Sequence, residues 1–275
     1  MPDIEQGVSR HYAAYDVLTR VREGLRAMGY EPGSVPPEAI KPVDEFHIGG
    51  AEATAELLDK LDLDGKDVLD IGCGIGGPAR MMAARSSARV TGVDLTPQFI
   101  ETARELSAMT GAGDRVRFEV ASATALPFAD ETFDIATLLH VGMNVPDKAG
   151  LFGEASRVLR KGGVFAVYDV MRVGEGKLQF PVPWAEQEEF SALEAPEYYR
   201  QAGRAAGLQL EAEENRGAIA LDFFARIQAQ AASAASSPIG LHLLMGPTVK
   251  DKMTNMIAAI RAGAIAPVQM FFRKS

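Results

Sequence analysis

From residue 66 onward the hydrophobic pattern switches repeatedly between short apolar runs and helical spacing. Residues 66–80 read KDVLDIGCGIGGPAR: an apolar run enters Asp70, glycines follow at 72, 74, 76 and 77, and Pro78 restarts the chain with helical spacing to residue 84. This predicts a strand, a tight turn and a helix N-terminus. A strand over 88–93 then ends at Asp94, and a helix runs from Pro97 to Met109. Strands over 116–120 and 133–138 follow, the second running into His140, then a helix over 148–159 and a strand over 164–170 after the KGG turn. Strands alternating with helices imply a parallel sheet covered on its faces. Beyond it lie a Pro-rich loop around FPVPW, a helix over 196–206, a strand over 208–212, helices over 222–236 and 248–260, and a closing strand over 267–273. Ahead of the alternation the spacing predicts a helix over 7–28, a Pro-rich linker over 31–41, a loop DEFHIGG at 44–50 and a helix over 51–61.

Length and composition narrow the function classes. A chain of 275 residues, 47% hydrophobic, holds a full core and leaves room for a cap. A net charge of −9 leaves no excess of Lys and Arg to neutralise phosphates, so nucleic acid is not an expected partner. The single cysteine, Cys73, excludes intramolecular disulfides and a cysteine-based zinc site, and the acids and histidines show no metal-ligand spacing. Between two glycines Cys73 reads as a small filler, and Asp70 nearby would raise its thiol pKa. No basic, apolar leader opens the sequence and no stretch approaches ~18 uninterrupted apolar residues, so a cytoplasmic protein without a membrane span is expected.

The glycine-rich stretch is a nucleotide-type site, since glycines allow close approach of a ligand to the main chain and a helix start offers free N–H groups. Two templates fit. Gly72, Gly74 and Gly77 satisfy the dinucleotide fingerprint G-x-G-x-x-G with Asp94 about 20 residues on. Gly72, Gly74 and Gly76 also form a G-x-G-x-G turn with Asp70 two residues ahead, an acid that suits a cationic centre or ammonium and is awkward beside a pyrophosphate. In either template Asp94, at a strand end, is placed to accept from ribose hydroxyls. Thr96, next to Pro97, is the better N-cap for the following helix.

VLDIGCGIGG, VTGVDLT, ALPFADETFD and the helix ending EASRVLRKGG, in this order, resemble the motifs of class I S-adenosylmethionine-dependent methyltransferases over roughly residues 66–172. The closing PVQMFFR is similar to the antiparallel last strand of that family. DEFHIGG, HVGMNVPDK, YDVMR and FPVPW further resemble the subgroup of sarcosine/dimethylglycine and phosphoethanolamine N-methyltransferases and related natural-product enzymes. The resemblance implies an α/β, Rossmann-like seven-stranded sheet, mostly parallel with an antiparallel last strand, plus helical caps. It divides the chain into a cap over 1–62, a cofactor-binding core over 63–216, a helical insertion shaping the acceptor site over 217–264 and a final strand over 265–275.

Carried onto this chain, the resemblance implies that Asp70, Gly72, Cys73 and Gly74 hold the methionine end of S-adenosylmethionine. Asp94 and Leu95 then meet ribose and adenine, residues 121–124, with Ser122 and Ala123, line the adenine, and His140 and Val141 sit near the transferred methyl. Many relatives have Gly-Asp-Ala where this chain has Ala121-Ser122-Ala123; Ser122 accepts a hydrogen bond without the charge. Since a sulfonium methyl is already activated, the site mainly aligns acceptor, methyl and sulfur, and a histidine can take a proton. His47, in a loop expected to close over the cofactor, and His140, at a strand end, are the catalytic candidates, each with a packing role as the alternative. For the acceptor, the candidates are Met143 and Asn144 after the fourth strand and Tyr168 and Asp169 at the end of the fifth. Arg172 suits a carboxylate or a solvated surface position, Trp184 suits an ammonium or an anchor for the Pro-rich loop, and His242 with Met245 stands in an apolar segment that equally suits a core. The expected activity is methyl transfer to a small-molecule nitrogen, with release of S-adenosylhomocysteine, by a monomer or homodimer. Oxygen or carbon acceptors and, less favoured, a nicotinamide oxidoreductase are the alternatives.

Overall fold

The computed structural model describes residues 16–31, 35–231 and 237–275. Seven strands form one sheet: β1 (Asp67–Ile71), β2 (Arg89–Asp94), β3 (Val116–Val120), β4 (Phe133–Leu139), β5 (Leu159–Arg172), β6 (Leu208–Asn215) and β7 (Ile265–Lys274). They lie in the order β3-β2-β1-β4-β5-β7-β6. The pairs among β1 to β5 are parallel, and β7 runs antiparallel to both β5 and β6. The expected topology with an antiparallel last strand is therefore observed.

The central strands are covered on both faces, which is why β1, β4 and β5 read as near-continuous apolar runs. One face packs Leu69, Leu138, Phe165 and Phe272 against α6 (Lys148–Val158) and α7 (Pro196–Ala205). The other packs Val68, Val90, Ile135 and Ala166 against α3 (Gly50–Leu58), α4 (Gly77–Arg85) and α5 (Pro97–Met109). At the edge, β6 carries Glu211, Glu213 and Glu214, charges that discourage pairing with another chain.

Two further clusters lie beyond this frame. Val17, Val21 and Leu25 of α1 (Val17–Ala27) and Ile40 and Val43 of α2 (Pro37–Asp44) pack on Phe99 and Leu106 of α5, and on Leu243 and Leu244 of α9 (His242–Met245). Trp184 packs with Phe224 of α8 (Gly217–Ala231) and with Met256 and Ile260 of α10 (Val249–Arg261). No described helix is long and apolar enough to cross a membrane.

The pattern misled at one element. Where a Pro-rich linker was expected, Pro37–Asp44 is a helix. Pro37 occupies the first helical turn, where its missing N–H costs nothing, and Ala39, Ile40 and Val43 supply a buried stripe. Residues 7–15 of the expected first helix and 232–236 of the expected helix 222–236 lie outside the described residues.

Candidate functional site

Two adjoining cavities open at the carboxyl ends of the parallel strands, where open α/β sheets hold ligands. The first is a cleft over β1, β2 and β4, lined by Asp70, Gly72, Cys73, Gly74, Asp94, Leu95, Ser122, Ala123, His140, Val141 and Asn144, with Phe46, Phe99 and Leu244 as apolar walls. The ten cofactor residues expected from the sequence are all among them.

The turn after β1 is built by glycine. The N–H groups of Gly72 and Cys73 both donate to the Val93 carbonyl, at 2.7 and 2.9 Å, bending the chain across the end of β2. Gly72 has φ +72°, and a Cβ there would stand 2.3 Å from a Val141 methyl. Cys73 is buried and its thiol is pushed well up by burial, with Asp94 and Asp70 adding to the rise, so it fills space. Asp94 Oδ2 accepts from the Gly74 N–H at 3.0 Å and Oδ1 from the Thr96 N–H at 2.8 Å. A carboxylate offers about four lone-pair positions, and the Thr96 hydroxyl also hydrogen-bonds to Asp94, so capacity remains for a further hydroxyl donor.

Asp70 is 1% exposed. Its Oδ1 accepts the Thr137 hydroxyl at 2.8 Å, while Oδ2 has no partner among the described residues. Burial, opposed by the Thr137 hydrogen bond and reinforced by Glu45, pushes its pKa to about 7. An unsatisfied buried carboxylate oxygen on a cleft wall calls for a cationic donor, and the ammonium of S-adenosylmethionine fits it. Ser122 Oγ lies 2.9 Å from Thr124 Oγ1 and accepts the Thr124 N–H, forming a local turn that presents the 121–123 backbone to the cleft.

The second cavity, with about 330 Å³ of space, is walled by Met143, Trp184, Phe223, Phe224, Met245, Met253 and Met256. Phe46, His47 and His140 belong to the walls of both cavities. Trp184 is anchored by its indole N–H on Ser191 Oγ at 2.9 Å while its ring faces the cavity. A larger groove, about 700 Å³, lies on the Lys60, Arg160 and Arg273 side. These three cations pair with Glu214, Asp134 and Glu211, and the groove touches none of the glycine-rich turn.

The loop over 44–50 closes across the junction of the two cavities and is fastened from β4 and β5. The Ile48 N–H donates to His140 Nε2 at 3.3 Å, and the Tyr168 hydroxyl donates to the Ile48 carbonyl at 3.0 Å. His140 has φ +56°, its N–H donates to the Tyr168 carbonyl at 2.7 Å, and Nδ1 lies 3.2 Å from that same oxygen. Burial and the neighbouring His47 hold its pKa well below 6.5. Both of its ring nitrogens are therefore engaged. His47 sits 5.7 Å from it, ring to ring, and contacts Glu45 and Thr54.

Several acceptor candidates stand elsewhere than expected. Tyr168 holds the loop and lines neither cavity. Asp169 is fully buried beneath Gly142, where it accepts the Tyr199 hydroxyl, and burial pushes it to about 7. The Arg172 guanidinium donates to the Gly176 carbonyl at 2.9 Å, away from both cavities. His242 is exposed and lines neither, because α9 turns Leu244 and Met245 inward instead. Glu45, Thr54, Phe223, Phe224, Met253 and Met256 were not singled out in the sequence. Their helical apolar spacing signals burial for the last four, but not which ligand they face.

Comparison with known proteins agrees with this geometry. Residues 69–167 match the family model described as a methyltransferase domain. Over 164 residues the chain is 36% identical to the methyltransferase GfsG of Streptomyces halstedii, the match covering 57% of each chain. Over 175 residues it is 34% identical to erythromycin 3''-O-methyltransferase of Saccharopolyspora erythraea, covering 58% of this chain and 57% of the relative. The chain thus spans somewhat over half the length of these curated relatives. In fold it is similar to phosphoethanolamine N-methyltransferase 2 of Haemonchus contortus in complex with S-adenosyl-L-methionine, with a TM-score of 0.67 and 22% identity over 92% of this chain and 60% of that one.

Proposed function

Because the chain carries a class I S-adenosylmethionine-dependent methyltransferase domain, we propose that it methylates a hydroxyl oxygen of an apolar small molecule. The observation that carries this reading is the second cavity, whose methionine and aromatic walls meet the glycine-rich cleft at His47 and His140. A volume of about 330 Å³ suits a small organic molecule, and apolar walls reward burial of its carbon skeleton.

When bound, S-adenosylmethionine would supply a methyl group activated by the sulfonium, the electron pair of the C–S bond staying on sulfur. In this reading Asp70 receives the ammonium, Asp94 the ribose hydroxyls, and residues 121–123 the adenine. Phe46, Val141 and Leu244 shield the cleft from water. Met143, Trp184, Phe223 and Phe224 orient the acceptor, and Asn144 lines the cofactor side of the junction. His47 takes the hydroxyl proton, so the acceptor attacks as the better nucleophile. His140, with both nitrogens engaged, holds the loop.

The nitrogen acceptor expected from the sequence is the second reading, favoured by Trp184 and by the Glu45 and Glu52 carboxylates on the chamber wall. Release of S-adenosylhomocysteine across an acceptor panel separates the two. Apolar phenols and small hydroxylated polycyclic compounds are expected to turn over and to yield methyl ethers by mass spectrometry. Turnover confined to glycine, sarcosine, dimethylglycine or ethanolamine phosphate would replace the oxygen reading with the nitrogen one.

A further inference from the structure

We infer that Glu45 and Thr54 are positioning residues that fix the proton of His47 on Nε2, so that Nδ1 meets the acceptor as a lone pair; the use of that lone pair rests on the oxygen-acceptor reading. Three distances define the arrangement. The Thr54 hydroxyl donates to Glu45 Oε2 at 2.8 Å, His47 Nε2 lies 2.7 Å from Thr54 Oγ1, and the same nitrogen lies 3.1 Å from Glu45 Oε2.

The proton count follows from what each group has to give. An ionised carboxylate only accepts, so the single Thr54 proton points at Glu45. The Thr54 oxygen then offers His47 only lone pairs, and Nε2 must be the donor to both oxygens. A neutral imidazole with its proton on Nε2 has a bare lone pair on Nδ1. That atom is buried, has no partner among the described residues, and belongs to a side chain that walls both cavities. A buried acceptor without a donor costs free energy, and an incoming hydroxyl relieves it.

His140 is the mirror case. Its Nδ1 faces a carbonyl oxygen and must carry the proton, and its Nε2 accepts from the Ile48 N–H. The two histidines are thus held in opposite tautomers, His47 with an Nδ1 lone pair that no described residue occupies and His140 with both nitrogens engaged. During transfer the acceptor O–H bond breaks and an Nδ1–H bond forms while oxygen gains the methyl carbon. The resulting imidazolium faces the Glu45 carboxylate at 3.1 Å, which stabilises it, and the proton passes to water after product release. The other groups facing His47 are His140, Tyr168 and Asp70.

Long-range 1H–15N NMR of the full chain bound to S-adenosylhomocysteine at pH 8 tests this without any acceptor. The chain has four histidines, His11, His47, His140 and His242, so single His→Gln variants assign every ring. His47 is expected with its proton on Nε2 and His140 with its proton on Nδ1. Glu45→Gln and Thr54→Val should move the His47 nitrogens toward the averaged shifts of a mixed tautomer, and Thr54→Ser should restore them. Affinity for S-adenosylhomocysteine, unchanged within about threefold, checks that the variants fold. A His47 proton on Nδ1, or a spectrum indifferent to both substitutions, overturns the inference. A panel silent on hydroxyl acceptors leaves this spectrum unaltered and counts against the oxygen reading alone.

Discussion

At the scale of single residues the cleft turns on Asp70, a carboxyl with one oxygen held by Thr137 and the other facing the ligand space. Its folded pKa of about 7 lies above the ordinary 3.8, so its contribution to stability without ligand is fullest at low pH and is lost as pH rises through about 7. An ammonium beside Oδ2 favours the carboxylate and reverses that preference. Binding of S-adenosylhomocysteine is therefore expected to release a proton below pH 7 and to weaken as pH falls from about 7 to 5. Calorimetry at pH 6 in two buffers of different ionisation heat reads the release directly. Asp44, on the same cleft wall and pushed to about 6 by burial against the pull of Arg80, also titrates there, so Asp70→Asn is the control. That variant should lose the proton release attributed to Asp70 and bind on the order of 10- to 100-fold more weakly, as loss of a charged hydrogen bond implies. Asp70 and Asp94 were legible in the sequence because both sit at fixed distances from the glycines. Glu45 and Thr54 were not: they are nine residues apart, and the curve of the loop that brings them to one histidine leaves no period in the sequence.

At the scale of elements, the helix that the pattern missed is the one that seats the loop. α2 ends at Asp44, whose carboxylate pairs with Arg80, and a Cβ on Gly77 would lie 1.9 Å from the Asp44 carbonyl oxygen. Gly77 thus opens the first turn of α4 to the end of α2, a role distinct from the ligand approach inferred for the glycine stretch. Gly77→Ala is expected to displace α2, lower stability by ~1–3 kcal/mol and weaken S-adenosylhomocysteine binding at least tenfold. Thermal unfolding and calorimetry check both effects. Gly153→Ala, within α6 with nothing within 4 Å of its added Cβ, should leave binding unchanged. Core elements were legible because buried strands and amphipathic helices impose strong periods. α2 was hidden because Pro36, Pro37 and Pro42 read as breakers, although one of them starts the helix.

At the scale of the molecule, the sheet supplies one cavity and the additions supply much of the other. The glycine-rich turn and the ends of β1, β2 and β4 lie within about 80 residues, which is why the lining of the candidate cofactor cleft could be read in order along the chain. The chamber proposed for the acceptor gathers residues from the loop after α2, the Trp184 loop, α8, α9 and α10, so its identity exists only after folding. Four of its wall residues, Met143, Met245, Met253 and Met256, are unbranched thioethers with several rotatable bonds. Such a wall yields to the outline of its guest. Across a homologous series of hydroxylated acceptors, KM is expected to track partition into oil and to be nearly indifferent to branching. Replacing Met253 and Met256 by isoleucine should convert that ranking to one by shape, measured as the spread of kcat/KM between linear and branched isomers. With its methionines in place the chamber would choose acceptors by solubility, the soft wall acting as a solvent and the glycine-rich cleft as the rigid template.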